Sequence, residues 1–334
     1  MTKLFQEVQF AHDAEDGNES VAIGDNIHHL VLLHGREAAS RMVEPERRPL
    51  VDIAAEVLAD ESRSIGISYT GFCLTSLPHK RLADDAPWEK HGHRVTLLVE
   101  PGRMKVNGQT KLWGVPFGAR ARMILLYLQT AAVRTGSREV ELGRSMRDWM
   151  GRMGIAWGGE TAKAMREQAT RISACSLKFF WEEERGSSAW SAGRIVNSGL
   201  QLHDMSSGDD QGKLWEDRVV LDQTFFDALR DHPVPLLETA IRELRDRSLS
   251  LDIYVWLAWR LHNLERQTPI RWAAVHQQFG AGFKEVRHFR PRFVQALDAA
   301  LAAYPDARVM VDERGLVLHP SRPPIAPRIS GSLS

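Results

Sequence analysis

GARARMILLYLQTAAVRTGSREVELGRSMRDWMGRMGIAWGGETAKAMREQATRISACSLKFFWEEE, residues 118–184, is the stretch from which the rest of the chain is read. Its apolar spacing predicts a long helix, a short extended piece, a short helix, a glycine turn, a second long helix and a strand. Gly136 is placed to stop the first helix, and Met123, Ile124, Leu126, Tyr127 and Thr130 face inward on it. Ser145 is a candidate N-cap for the short helix, with Asp148 three positions on. Gly158-Gly159 supplies the turn. On the next helix Ala162, Met165, Ala169 and Ile172 share one face, which leaves Lys163, Thr170 and Arg171 opposite and Arg166 flanking. SLKFFW begins a β-hairpin whose tip is EEERGSSAWSAG and whose return is RIVNSGLQLHD. This order is that of a winged helix: a helix-turn-helix followed by a β-hairpin wing.

Charge supports the same reading. Between Lys111 and Lys178 there are twelve Lys/Arg against five acids, a net of +7, in a chain whose formal total is zero. A positive field on a helix-turn-helix is the footprint of a nucleic-acid binder. From Met1 to Glu61 the balance is opposite, with thirteen acids and five Lys/Arg. That acidic start reads as a solvated, disordered tail. At 334 residues the chain is long enough for two domains plus tails. No apolar run approaches the ~20 residues that span a bilayer. The first seventeen residues carry acids where a secretory signal has its apolar core, so a cytoplasmic location is expected. Cys73 and Cys175 lie far apart without a CxxC partner and read as buried small apolar residues.

The second half follows the same plan. VPLLETAIRELRDRSL reads as a helix and SLDIYVWLAWRLHNL as a longer, aromatic one. TPIRWAAVHQQFG gives an extended piece and a helix, and FGAGF a glycine turn. RPRFVQALDAALAAYP is a helix with Phe293, Leu297, Ala300, Leu301 and Tyr304 inward, and Pro291 in its first turn. ARVMVDERGLVLHP is a hairpin turning at Glu313-Arg314-Gly315. The expected fold class is α+β, mainly α, with tandem winged-helix domains. The expected division is a disordered acidic tail (1–47), a helix/strand extension packing on the first domain (48–110), winged helices at 111–232 and 233–320, and a flexible Pro-rich tail (321–334).

With these elements in place, the chain resembles the plasmid-encoded replication initiator (RepA) family of broad-host-range bacterial plasmids. Five blocks carry the resemblance: Gly71–Leu82, Arg94–Gly102, Gly114–Met150, Phe225–Ile241 and Phe279–Leu297. It spans roughly residues 48–324. It implies a protein that binds repeated sites (iterons) in double-stranded DNA at a plasmid origin and helps to open the duplex. It further implies recruitment of host replication proteins (a helicase or its loader), and a homodimer that represses its own promoter while monomers bind iterons. Binding without bond making requires no cofactor, metal ion or membrane.

The residues nominated for DNA contact are Thr161, Lys163, Arg166 and Arg171 in the first domain. In the second they are Lys284, Arg287, His288, Arg290 and Arg292, where four cations meet one acid, with Arg314 on the wing. Cations release counterions from phosphates, and side chains near the start of a recognition helix read base edges. Two rival classes have identifiable signals. A winged-helix transcriptional repressor has the same fold but binds as a stable dimer without melting DNA. A metal-dependent nicking initiator would use His91 and His93 as ligands and a tyrosine nucleophile, although Gly92 replaces a bulky residue of that pattern. P-loop, nucleophile-elbow and zincin motifs are absent from the sequence. His28-His29 reads as surface, and Trp149, Trp181, Trp256, Trp259 and Trp272 as core packing.

Overall fold

The computed structural model describes residues 23–106, 108–182, 188–198 and 218–325. Helix α1 (Ile23–Met42), kinked at Gly35 (φ 74°), leads through a 3-10 turn at Pro45–Arg47 to α2 (Arg48–Leu58). Next come β1 (Ile65–Tyr69), the short α3 (Thr70–Leu74), β2 (Trp88–Gly92), β3 (Val95–Glu100), β4 (Gly102–Val106) and β5 (Gln109–Trp113). The central run is α4 (Gly118–Thr135), β6 (Glu139–Glu141), α5 (Met146–Arg152), α6 (Gly159–Ala174), β7 (Ser176–Glu182), β8 (Ser188–Gly193), β9 (Val196–Ser198) and β10 (Arg218–Leu221). Then follow α7 (Gln223–Asp231), β11 (Pro233–Leu237) and α8 (Glu238–Glu243). The last run is α9 (Ser248–Arg260), β12 (Thr268–Arg271), α10 (Trp272–Phe279), α11 (Val286–Ala302), β13 (Val309–Val311) and β14 (Gly315–Leu318).

Helix and sheet are mixed, and two stretches share one plan. In the first, β6 precedes the α5–α6 pair and β10 returns to the centre of a sheet ordered β6-β10-β9. In the second, β12 precedes α10–α11 and β14 returns to the centre of β12-β14-β13. Each run opens with a long buried helix, α4 or α9. Local chemistry sets the boundaries. Gly136 closes α4 in the left-handed conformation (φ 65°), which a side chain would strain. The Ser145 hydroxyl accepts from the Asp148 N–H at the start of α5. Asp312 accepts from the N–H groups of Arg314 (2.7 Å) and Gly315 (2.6 Å), which fixes the β13–β14 turn.

Several expectations are corrected. The strand read as the first wing is not part of the three-stranded sheet. β7 instead lies between β3 and β8 in the sheet β2-β3-β7-β8, and its return strand is Ser188–Gly193. The strand within the expected return, β9, pairs with β10 instead. The polar segment MSSGDDQGKLWED, between β9 and β10, lies wholly outside the described residues. VPLLETAI does not continue as one helix. β11 pairs antiparallel with β1, Ile65 opposite Leu237, before α8 begins at Glu238. Pro291 sits inside α11, not in its first turn, because the helix already starts at Val286.

The tails differ too. From Ile23 the acidic N-terminal stretch is helical, not disordered, and α1 packs on α2 and α11. His28, expected at the surface, is buried with Nε2 2.9 Å from the Ala302 carbonyl oxygen. The first 22 residues lie outside the described part. At the other end Ile325 is buried, and the Tyr304 hydroxyl donates to the Arg322 carbonyl at 2.6 Å, so 321–325 is tied down. Residues 326–334 also lie outside. One continuous apolar core runs from Ile27 to Ile325.

Asp298 on α11 has lost much of its water, which pushes its carboxyl up to about 6 against the partial opposition of Arg47. A folded value above the ordinary 3.8 means stability that is present at low pH and lost as pH rises from about 4 through about 6. Asp298→Asn is therefore expected to stabilise the chain at pH 7, by up to about 3 kcal/mol on the linkage scale. Urea melts of the two proteins should converge below about pH 4.

Candidate nucleic-acid interface

The first candidate surface is the α5–α6 pair. The N-cap of α6 is Gly158, which has no side chain to cap the first N–H groups of the helix. Lys163 is exposed on the first half of this helix, and Thr161 and Arg166 are half-buried. Arg144 and Arg147 are exposed at the start of α5, and Arg152 at its end pairs with Asp148 at 3.3 Å. Trp157 in the connecting turn is 48 % exposed, one of few large apolar side chains open to water among the described residues.

Arg171 does not belong to this surface. Its side chain is 1 % exposed. Its guanidinium donates to Glu167 (3.0 Å), Asp84 (2.9 Å) and the Val115 carbonyl (3.2 Å), and stacks 5.2 Å over the Phe117 ring. Burial alone would raise the Asp84 carboxyl. The Arg171 hydrogen bond and charge, with Arg81, instead hold it below its usual range. Thr170 is buried as well, its hydroxyl donating to the Arg166 carbonyl at 2.9 Å. From Gln168 to Ala174 every residue of α6 is buried, because β4, β5 and the Asp84 loop cover the side that periodicity assigned to solvent.

A split prediction follows. Arg171→Ala should destabilise folding by about 3–5 kcal/mol, since it removes a buried, fully bonded guanidinium and leaves Asp84 and Glu167 with only the exposed Arg81 as a cation. Lys163→Ala should leave the melt within about 0.5 kcal/mol and lower the salt slope of DNA binding by about 1. Urea melts and a salt titration separate the two.

The second surface is the start of α11 with the β13–β14 turn. Lys284, Arg287, His288 and Arg292 are exposed, and Arg287 Nε lies 2.6 Å from Glu285. Arg290 is a brace: it donates to the Asp312 carbonyl at 3.1 Å and stacks 5.0 Å over Trp272. The Trp272 indole N–H donates to the same carbonyl (3.1 Å) and its backbone N–H to the Arg314 carbonyl (3.0 Å). Through this brace the exposed Arg314 is held beside the basic first half of α11. Lys284, His288 and Arg292 are exposed, Arg287 is exposed but held by Glu285, and Arg290 ties the helix to the β13–β14 turn.

Sequence reasoning passed over Arg144, Arg147 and Trp157 as individual residues, although the +7 balance already contained the two arginines. Of the two histidines, His91 has local partners. His91 lies 3.0 Å from the Thr96 hydroxyl and 3.3 Å from Glu89. Tyr69, Tyr254 and Tyr304 are buried, and the half-buried Tyr127 donates to the Glu141 carbonyl at 2.6 Å. Among the described residues no three His, Cys, Asp or Glu converge as a metal site, and no helix is long and apolar enough to cross a membrane. Both cysteines are buried, and burial pushes the Cys175 thiol up to about 12. Trp149, Trp256 and Trp272 are core residues, with Trp181 and Trp259 packed against them.

The comparison with known families falls on the segment that holds these features. Over residues 115–276 the chain matches the family of plasmid encoded RepA proteins. The RepA match runs from the residue whose carbonyl binds Arg171 through α4, α5, α6 and α9 into α10. It stops before α11, so the second basic surface lies beyond it. No curated protein matches the chain. Among solved structures, a selenomethionine derivative of domain 2 and domain 3 of RctB is 13% identical, with a TM-score of 0.49 over 75% of this chain and 95% of that one. A second structure, RctB domains 2-3, is 14% identical, with a TM-score of 0.44 over 74% and 93%.

Proposed function

We propose that this RepA-like chain is a plasmid replication initiator. It binds iterons in double-stranded origin DNA through two winged-helix units, promotes opening of the duplex and recruits a host helicase or its loader. The observation that carries the reading is the repeated placement of exposed cations. Lys163 lies on the first half of α6, and Arg287 and Arg292 on that of α11, each the second helix of a pair framed by a sheet of like order. In such a pair the second helix enters the major groove and its first residues approach base edges. The hairpin turn carrying Arg314 is the wing of the second unit, and the β9–β10 strands take that place in the first. No bond is made or broken, so the activity needs no cofactor, and a homodimer is the form that represses the initiator's own promoter.

Permanganate reactivity on a supercoiled plasmid carrying the origin tests this reading. An initiator makes thymines in the A·T-rich part of the origin reactive in a protein-dependent way. Site-specific binding with no new reactivity would point instead to a repressor, and cutting of the plasmid would point to a nicking enzyme.

A further inference from the structure

Among the described residues the hairpin β4–β5 pairs with no other strand. Two-stranded ribbons are marginal by themselves, so something else must hold this one. Its root is pressed against the C-terminal end of α6. Gly102 approaches the Ala174 carbonyl so closely that any Cβ would overlap it, and both strands contact that helix. At its tip Gly108, at φ 79°, precedes Gln109, which pairs with Val106. The ribbon is therefore carried by the same helix that presents Lys163 and Arg166.

Charge on the ribbon is one-sided in sign. From Pro101 to Arg138 the sequence has no acid and seven Lys/Arg. Arg120, Arg122 and Arg134 are already held by Asp246, Asp252 and Glu238. Arg103, Lys105 and Lys111 are exposed on the hairpin, and among the described residues none of the three enters an ion pair. The register places them on both faces. Arg103 and Lys105 share a face with Thr110 and Leu112, and Lys111 lies on the other face with Met104 and Trp113, 5.0 Å over the Trp113 ring. Cations on both faces suit a ribbon that lies between two phosphate strands, and a duplex groove offers that arrangement.

We propose that the β4–β5 hairpin is a third DNA-contacting element, binding the phosphate backbone of the duplex engaged by α6. This rests on the DNA-binding reading above and adds a sequence-independent contact to it. The test uses the full chain with Arg103, Lys105 and Lys111 changed together to Gln, which keeps an unbranched polar side chain and removes the charge. On an origin duplex the log–log salt slope should fall by about 2–3. Affinity near 0.15 M salt should drop roughly a hundredfold, the extrapolation of that slope from 1 M. The ratio of origin to scrambled affinity should stay within about twofold, because phosphates carry no sequence information. A photo-crosslinker at Gln109→Cys should label DNA outside the groove protected by α6. An unchanged slope in a variant that melts like wild type, or no crosslink, overturns the hairpin assignment and leaves its cations as guards of an exposed strand edge. A wild-type chain that shows no salt-dependent binding overturns the initiator reading itself.

Discussion

Arg122→Ala is expected to destabilise the folded chain by about 3–5 kcal/mol, among the largest single-residue effects in the molecule. Arg122 lies on α4 and Asp252 on α9, the long helices that open the two like-ordered runs. Their side chains are only 7% and 11% exposed and meet in a two-pronged pair, Nε to Oδ1 at 2.6 Å and Nη2 to Oδ2 at 2.7 Å. The guanidinium also donates to the carbonyls of Leu77 (2.7 Å), Gly118 (2.9 Å) and Pro78 (3.3 Å). Every donor of the fork is directed at an oxygen, which is how a buried charge is tolerated. Burial, and then the neighbouring Arg122 charge, pushes His79 down to about 4, so it stands neutral at pH 7, bonded to the Ser248 hydroxyl. Truncating Arg122 removes both prongs of the pair and leaves Asp252 with only the His79 ring, 3.7 Å away. Replacing both, as Arg122→Met with Asp252→Leu, should recover most of the loss, because an apolar pair of similar volume carries no stranded charge. Urea melts of the single and double variants check this. A double variant as unstable as the single would mean that the other hydrogen bonds of Arg122, and not the ion pair, join the helices.

The joint Lys284→Ala/Arg287→Ala/Arg292→Ala variant is expected to lose roughly a hundredfold in affinity for origin DNA at 0.15 M salt, with the log–log slope reduced by about 3. All three side chains are exposed, so folding should change little. The arrangement has its own logic. Cations at the start of a helix oppose its dipole, and α11 has no acid in its first turn and no side-chain cap. An anionic ligand turns this cost into attraction at the same place. Arg287 contributes less than a free cation until DNA displaces Glu285. Arg287→Ala alone should flatten the preference among origin sequences if that side chain reads a base edge, with equal losses on origin and random DNA if it touches only phosphate.

Short-range chemistry made much of this structure legible beforehand. The Ser145 cap, the Gly136 stop, the Asp312–Gly315 turn and the strand at Val95–Glu100 each depend on residues a few positions apart. What was missed depends on partners far away in sequence. VPLLETAI has helical apolar spacing, yet Pro233 and Pro235 cannot donate, and β1, more than 160 residues earlier, provides an edge to pair with. Arg171 looked exposed because the spacing of one helix reveals one packed face. The second cover, from Asp84, Val115 and the β4–β5 ribbon, is set by tertiary structure. The N-terminal acids marked a tail, while Ile27, His28 and Ala39 bind α1 to the core between them. For the interface, the charge count located the region but could not separate cations that brace, such as Arg290 and Arg171, from those that remain available, such as Lys163 and Arg292.

The central claim is sequence-specific recognition of origin DNA. Fluorescence anisotropy on a duplex from the plasmid's own origin and a scrambled duplex, across a salt series, tests it most directly. Preference for the origin by about a thousandfold or more, with affinity falling steeply as salt rises, is the predicted result. Weak and equal binding to both duplexes would contradict it.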